Sequence, residues 1–137
     1  MSYTIDQLTV GQSSSFSKTV TETDVYMFAG VSGDFNPAHV NSEFAAKTPF
    51  KQRIAHGMLS ASFVSTEIGT DLPGPGTIYL EQKMKFTNPV YIGDTITAKI
   101  EVKELIKEKN RAVLTTTCTK QDGTVVLVGE AVVMPPR

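Results

Sequence analysis

The chain has 137 residues, 40% hydrophobic and 20% charged, with a net charge of −1, a pI near 6.1 and one cysteine. That length suits one domain over residues 1–137, and the composition is that of a soluble globular protein with a core needing no covalent staples. The near-neutral charge excludes non-specific attraction to nucleic acid, Cys118 has no cysteine to pair with, and no run approaches the ~20 apolar residues of a membrane span.

The opening residues Met1-Ser2-Tyr3-Thr4-Ile5-Asp6 lack the basic start and apolar stretch of a signal peptide, so a cytoplasmic protein without membrane attachment is expected. Ile5, Leu8 and Val10 lead to Gly11, and residues 13–20 read as a first strand. Thr21 or Thr23 is placed to cap a helix beginning near Asp24, since a hydroxyl there accepts from free backbone N–H groups. Val25, Phe28 and Ala29 supply its apolar face, and Gly30 and Gly33 mark its end. The run Asp34-Phe35-Asn36-Pro37-Ala38-His39 follows. Proline favours an extended residue before it, so a shaped loop is expected across this run. Asn41 or Ser42 then caps a short helical turn through Ala46, and residues 48–55 look irregular.

From Gly57 to Ile68 apolar and small residues surround nearly the whole circumference, the pattern of a helix enclosed by other structure and ended by Gly69. Asp71 to Gly76 is a turn region. The period then changes to two: Leu80, Gln82, Met84 and Phe86 alternate with Tyr79, Glu81, Lys83 and Lys85. Ile96, Ala98, Ile100 and Val102 alternate with polar neighbours through Lys103. Residues 111–120 and 124–134 form two further strands joined at Gln121-Asp122-Gly123, a hairpin signal. Strands joined by short turns make an antiparallel sheet, and one apolar helix needs a large surface to cover it. The fold class is α+β, a curved sheet wrapped around a central helix. An open sheet leaves edges unpaired, so a homodimer joining two sheets edge to edge is expected.

The chain's two histidines, His39 and His56, both fall within 23 residues of Asp34. A carboxylate and an imidazole around one water can activate it and return a proton elsewhere. Spacing alone leaves two readings of Asp34 and His39: such a proton-transfer pair, or a turn-capping acid beside an interior histidine. His56 reads as a local structural partner where the helix begins. Gly57 has no Cβ to keep a ligand from the free N–H groups of the first helical turn, which favour an oxygen gaining negative charge; it also reads as a small packing residue. Asp34, His39 and His56 form a carboxylate and two imidazoles, but their spacing fits no common zinc pattern and there is no His-Glu-x-x-His, so no metal is expected.

At these residues the chain resembles the (R)-specific enoyl-CoA hydratases of the MaoC-like hot-dog family. The resemblance is carried by Asp34-x-Asn36-Pro37-x-His39, then His56-Gly57-Met58 opening an apolar helix. It extends through Val10-Gly11-Gln12, Pro73-Gly74-x-Gly76-x-Ile78-Tyr79, Pro89-Val90-x-x-Gly93-Asp94 and Gly129-Glu130-Ala131. The short chain resembles the single-domain homodimeric members.

The resemblance implies a single hot-dog fold that adds water to a trans-2-enoyl-CoA, reversibly, giving the (3R)-3-hydroxyacyl-CoA, with no cofactor. It implies that Asp34 and His39 hold and activate the water and supply a proton. It implies that the Gly57 N–H polarises the thioester carbonyl, that Asn36 shapes the loop, and that Ser65 and Ile68 limit the acyl pocket. Arg53 and the lysines are candidates for the phosphates of coenzyme A. Because one fold hosts several chemistries, an acyl-CoA thioesterase, a 3-hydroxyacyl-carrier-protein dehydratase and a non-catalytic acyl-CoA binding protein stand as alternatives. The pathway stays open between polyester (polyhydroxyalkanoate) precursor supply, fermentation and fatty acid β-oxidation.

Overall fold

In the computed structural model, which describes residues 1–137, the alternating segments become five strands of one antiparallel sheet. They are β1 (Ser13–Thr19), β2 (Ile78–Phe86), β3 (Thr95–Ile106), β4 (Arg111–Thr119) and β5 (Val125–Met134), in the spatial order β1-β3-β4-β5-β2. The inward side chains of β3 are Ile96, Ala98, Ile100 and Val102; those of β4 include Ala112, Leu114 and Cys118, and Leu127, Ala131 and Val133 continue the face on β5. Four helical segments lie between β1 and β2: α1 (Glu22–Ser32), α2 (Pro37–Val40), α3 (Ser42–Ala46) and α4 (Gly57–Thr70). No helix is long and apolar enough to cross a membrane.

α4 crosses the concave face of the sheet, burying Leu59, Phe63, Val64 and Ile68, with Phe63 edge-on to Phe16 of β1 at 6.0 Å. This is the hot-dog arrangement that the resemblance implies. One expectation is corrected here. Met58, Ser65, Thr66, Gly69 and Thr70 form an exposed stripe, so the chain's own sheet encloses only one side of the helix. Small side chains conceal that distinction in the sequence, because they suit a close neighbour and a solvent face equally. The helix also passes through Gly69 to Thr70, whose hydroxyl donates to the Thr66 carbonyl.

Two further departures have local causes. β3 continues three residues past the regular alternation, because a bulge between Val102 and Glu104 resets the register and lets Leu105 pack against the core. The Asp34–His39 run is not loop throughout: Pro37 opens the single turn α2, with Asn36 as its cap. Proline restricts the residue before it but is itself at home in a first helical turn, where its missing N–H has no intrahelical partner to lose.

Candidate active site

Thr21 is the residue that caps α1. Its hydroxyl accepts from the Asp24 N–H at 3.1 Å while the Asp24 carboxylate accepts from the Thr21 N–H at 2.9 Å, a reciprocal capping box. At the other end Gly33 sits at φ +80, in the left-handed region that glycine enters without strain, and turns the chain out of the helix. Asp34 follows directly. Its N–H donates to Ser32 Oγ at 3.1 Å, and its carboxylate Oδ1 accepts from the Asn36 N–H at 3.1 Å. Asn36 Oδ1 accepts from the Ala38 N–H at 3.0 Å. Two consecutive side-chain turns thus deliver the chain into α2, which carries His39.

His39 is nearly buried, at 9% exposure, and its Nδ1 lies 2.7 Å from the Ile54 carbonyl. A carbonyl oxygen only accepts, so Nδ1 carries the hydrogen and the neutral ring keeps its free lone pair on Nε2. His56 is the N-cap residue of α4, but its side chain makes no capping hydrogen bond. Its Nε2–H donates to the Asp34 carbonyl at 2.9 Å, and its Nδ1 is buried without a partner. The two imidazoles stack with centroids 3.8 Å apart and planes 27° apart, and Phe28 of α1 leans on His56 at 4.9 Å. Asp34, His39 and His56 each offer a polar atom within 4.8 Å of the others. His56 is therefore joined to both other members, which the expectation of a merely local role at the helix start did not include.

Gly57 begins α4, exposed beside the histidines, with the free N–H groups of the first helical turn around it. A Cβ there would stand 2.8 Å from the half-exposed Phe86 ring of β2, which would have to shift to admit it. Phe28, Ser32, Asp34, His39, His56, Gly57 and Met58 line a cleft of about 320 Å³. Two grooves of about 470 Å³ each adjoin it. One runs along α4 and β2 past Ser62, Ser65, Leu80 and Met84; the other lies between Phe50, Ile54, Gly57, Phe86 and Asn88. Met58 borders all three spaces.

The other expected residues divide. Ser65 lines the α4–β2 groove. Ile68 does not: at 1% exposure it belongs to the core and borders neither that groove nor the cleft. It lies about 60° around α4 from Ser65, enough to set it against the sheet. Arg53 is already engaged, donating to Glu22 at 2.6 Å and to the Tyr26 hydroxyl at 2.9 Å. As a donor set for a metal, one carboxylate and two imidazoles are adequate in kind.

A family model described as "MaoC like domain" matches residues 7–124. The chain belongs to the MaoC-like domain family. Among MaoC-like relatives, the (R)-specific enoyl-CoA hydratase of Rhodospirillum rubrum is 57% identical over 126 residues, covering 92% of this chain and 87% of the relative. The R-hydratase of Pseudomonas aeruginosa, solved in the unliganded form, superposes with a TM-score of 0.93 at 46% identity, covering 98% of this chain and 86% of that one. The (R)-hydratase of Aeromonas caviae, described as involved in PHA biosynthesis, gives 0.91 at 46% identity, covering 94% and 98%. In this MaoC-like chain the features that residue patterns do not reveal are the Ile54 carbonyl and the Ser32 hydroxyl. Both act through atoms that any sequence or any serine offers. His56 carries two signals in the sequence: it is the chain's only other histidine, and it opens the His56-Gly57-Met58 run.

Proposed function

We propose that this chain is an (R)-specific enoyl-CoA hydratase, adding water reversibly to trans-2-enoyl-CoA to give the (3R)-3-hydroxyacyl-CoA. The observation that carries the reading is the pinned tautomer of His39, which leaves a bare Nε2 in a cleft shared with the Asp34 carboxylate and the start of α4. In the forward direction water oxygen bonds to Cβ as its proton passes to the His39–Asp34 pair. The Cα–Cβ π electrons move toward the thioester, whose oxygen takes enolate character opposite the Gly57 N–H. A proton returned to Cα completes the addition, so the pair begins and ends in one protonation state. The names of the relatives at 57% and 46% identity support the same substrate class. The α4–β2 groove beside Ser65 is suited to the acyl chain, and its mouth at Met58 opens on the cleft. The protein then needs no metal or organic cofactor, since proton transfer and one N–H donor suffice.

Crotonyl-CoA is the testing substrate. Loss of the conjugated enoyl absorbance without release of thiol supports hydration, whereas free thiol means thioester hydrolysis and binding without either means a carrier.

We also propose that the working unit is a cytoplasmic homodimer. The exposed stripe of α4 adjoins the edge strand β2, where Ile78, Tyr79 and Leu80 are open to solvent. A second copy covering both would remove an apolar surface and an unpaired edge together. The single free thiol, Cys118, is buried and suits a reducing compartment. Sedimentation at micromolar concentration reads the assembly directly, and a species of monomer mass would overturn it.

A further inference from the structure

Arg53 lies outside the cleft, yet its side chain is only 15% exposed. Its guanidinium donates through Nη2 to Glu22 Oε1 at 2.6 Å and through Nη1 to the Tyr26 hydroxyl at 2.9 Å. The Tyr26 hydroxyl in turn donates to the same Glu22 oxygen at 3.1 Å, closing a three-membered ring of hydrogen bonds. Glu22 and Tyr26 are one turn apart on α1, so the ring grips the helix at two points. The hydrogen bond with Arg53 holds the Glu22 carboxyl below its ordinary range, so the pair stays charged throughout neutral pH.

The next residue along the chain is Ile54. Its carbonyl accepts from His39 Nδ1 at 2.7 Å and its N–H donates to the Ala38 carbonyl at 3.2 Å. Downstream, the Ala55 N–H is fixed to the Val90 carbonyl at 2.7 Å. Upstream there is no strand or helix: residues 47–53 form turns, and Lys51 stands at φ 66, a conformation that non-glycine residues disfavour. The peptide that selects the His39 tautomer is thus flanked by backbone bonds to Ala38 and Val90 and by the bridge of Ile54 to Tyr91. The segment that leads into it has no such ladder, and there the side-chain ring of Arg53 supplies the tie to α1. The helix it is tied to also presents Phe28 to His56.

We infer that Arg53, with Glu22 and Tyr26, is a positioning residue for His39: the ring fixes the Ile54 carbonyl to α1 and thereby keeps Nε2 free for proton transfer. This rests on His39 being the base proposed above. It also withdraws Arg53 from the phosphates of coenzyme A, since its donors face Glu22 and Tyr26.

The test uses the full-length protein labelled with ¹⁵N-histidine, in which only two imidazoles give signals and His39→Gln identifies one of them. Arg53→Gln, Glu22→Gln and the double variant are compared above the imidazole titration. The expected result is a His39 signal moving from the Nδ1–H form toward a mixture of tautomers. With crotonyl-CoA, kcat should fall about tenfold while KM stays within about twofold, and the double variant should lose no more than the worse single one. Should Arg53→Gln not fold, Tyr26→Phe removes one hydroxyl of the ring and gives the same readouts at smaller amplitude. An unchanged His39 tautomer in a folded variant overturns the inference, as does a KM rise with kcat preserved, which would return Arg53 to the coenzyme. A tautomer shift with kcat untouched would remove His39 as the base and end the positioning role with it, while leaving the clamp itself in place.

Discussion

Replacing His39 with glutamine removes a lone pair and keeps most of the surrounding structure. A glutamine amide can still donate to the Ile54 carbonyl, which His39 reaches at 2.7 Å, so no buried acceptor is orphaned. What is lost structurally is the stack on His56 at 3.8 Å, worth about 1 kcal/mol, or roughly 4 °C in Tm for a domain of this size. Catalytically the variant has no group able to take a proton from water. General acid–base groups contribute roughly 10²–10⁴ in rate, so kcat for crotonyl-CoA should fall at least about a hundredfold, equivalent to about 2.7 kcal/mol. Asp34→Asn should behave alike, because an amide oxygen can still accept from the Asn36 N–H that Oδ1 holds at 3.1 Å. The two changes made together should lose far less than the product of the single losses, since both groups act on one water. His56→Gln loses the stack on His39 and replaces the rigid ring that donates to the Asp34 carbonyl with a flexible amide, and should lose roughly ten- to a hundredfold, more than a local role at the helix start predicts. Steady-state hydration and thermal unfolding on each protein supply the numbers. If His39→Gln retained full activity with an unchanged Tm, the assignment of the base would be refuted.

Gly57→Ala keeps the backbone N–H but sets a methyl 2.8 Å from the half-exposed Phe86 ring, which must swing away. About 1 kcal/mol of stability and at least about tenfold of activity should go, and adding Phe86→Ala should restore the melting temperature without the rate; recovery of both would mean that Gly57 serves packing alone. Glu67 is buried in α4 with neither carboxylate oxygen hydrogen-bonded, and burial raises its pKa above the ordinary 4.5. Above that ordinary value the unfolded chain gives up the proton while the folded one keeps it, so stability contributed at low pH is lost as pH rises toward the folded pKa. Glu67→Gln should melt with the parent in acid and above it near neutrality; parallel curves across the whole range would contradict this. Exhaustive chelation should leave hydration within about twofold, and activity lost and then restored by zinc would reassign Asp34, His39 and His56 as metal ligands.

Much of the fold was open to sequence reading because it rests on periodicity. Ile96 to Val102 alternate cleanly, and Gln121-Asp122-Gly123 marks the β4–β5 hairpin, where the Lys120 N–H bonds the Thr124 carbonyl at 2.8 Å. Reading fails where a single residue carries two meanings. Pro37 signals an extended neighbour, yet begins a helical turn itself. β2 is an edge strand whose α4-facing side chains border open grooves, so Leu80 and Phe86 are about half exposed although their alternation resembles that of β3. Ile68 follows Ser65 by three residues, and the offset of about 60° suffices to set it in the core while Ser65 borders the groove. In the site, residue types and spacing suggested Asp34, His39 and Gly57. They could not supply the Ile54 carbonyl, because a backbone acceptor is common to every residue and only the tertiary fold aims it at His39.

The stereochemistry of the product decides whether this chain is an (R)-specific hydratase. Purified protein is incubated with crotonyl-CoA in water, and the 3-hydroxybutyryl-CoA formed is oxidised separately by dehydrogenases specific for the R and the S alcohol. The expected product is consumed by the R-specific enzyme alone, with no thiol released. An S or racemic product, or free coenzyme A in its place, would contradict that assignment.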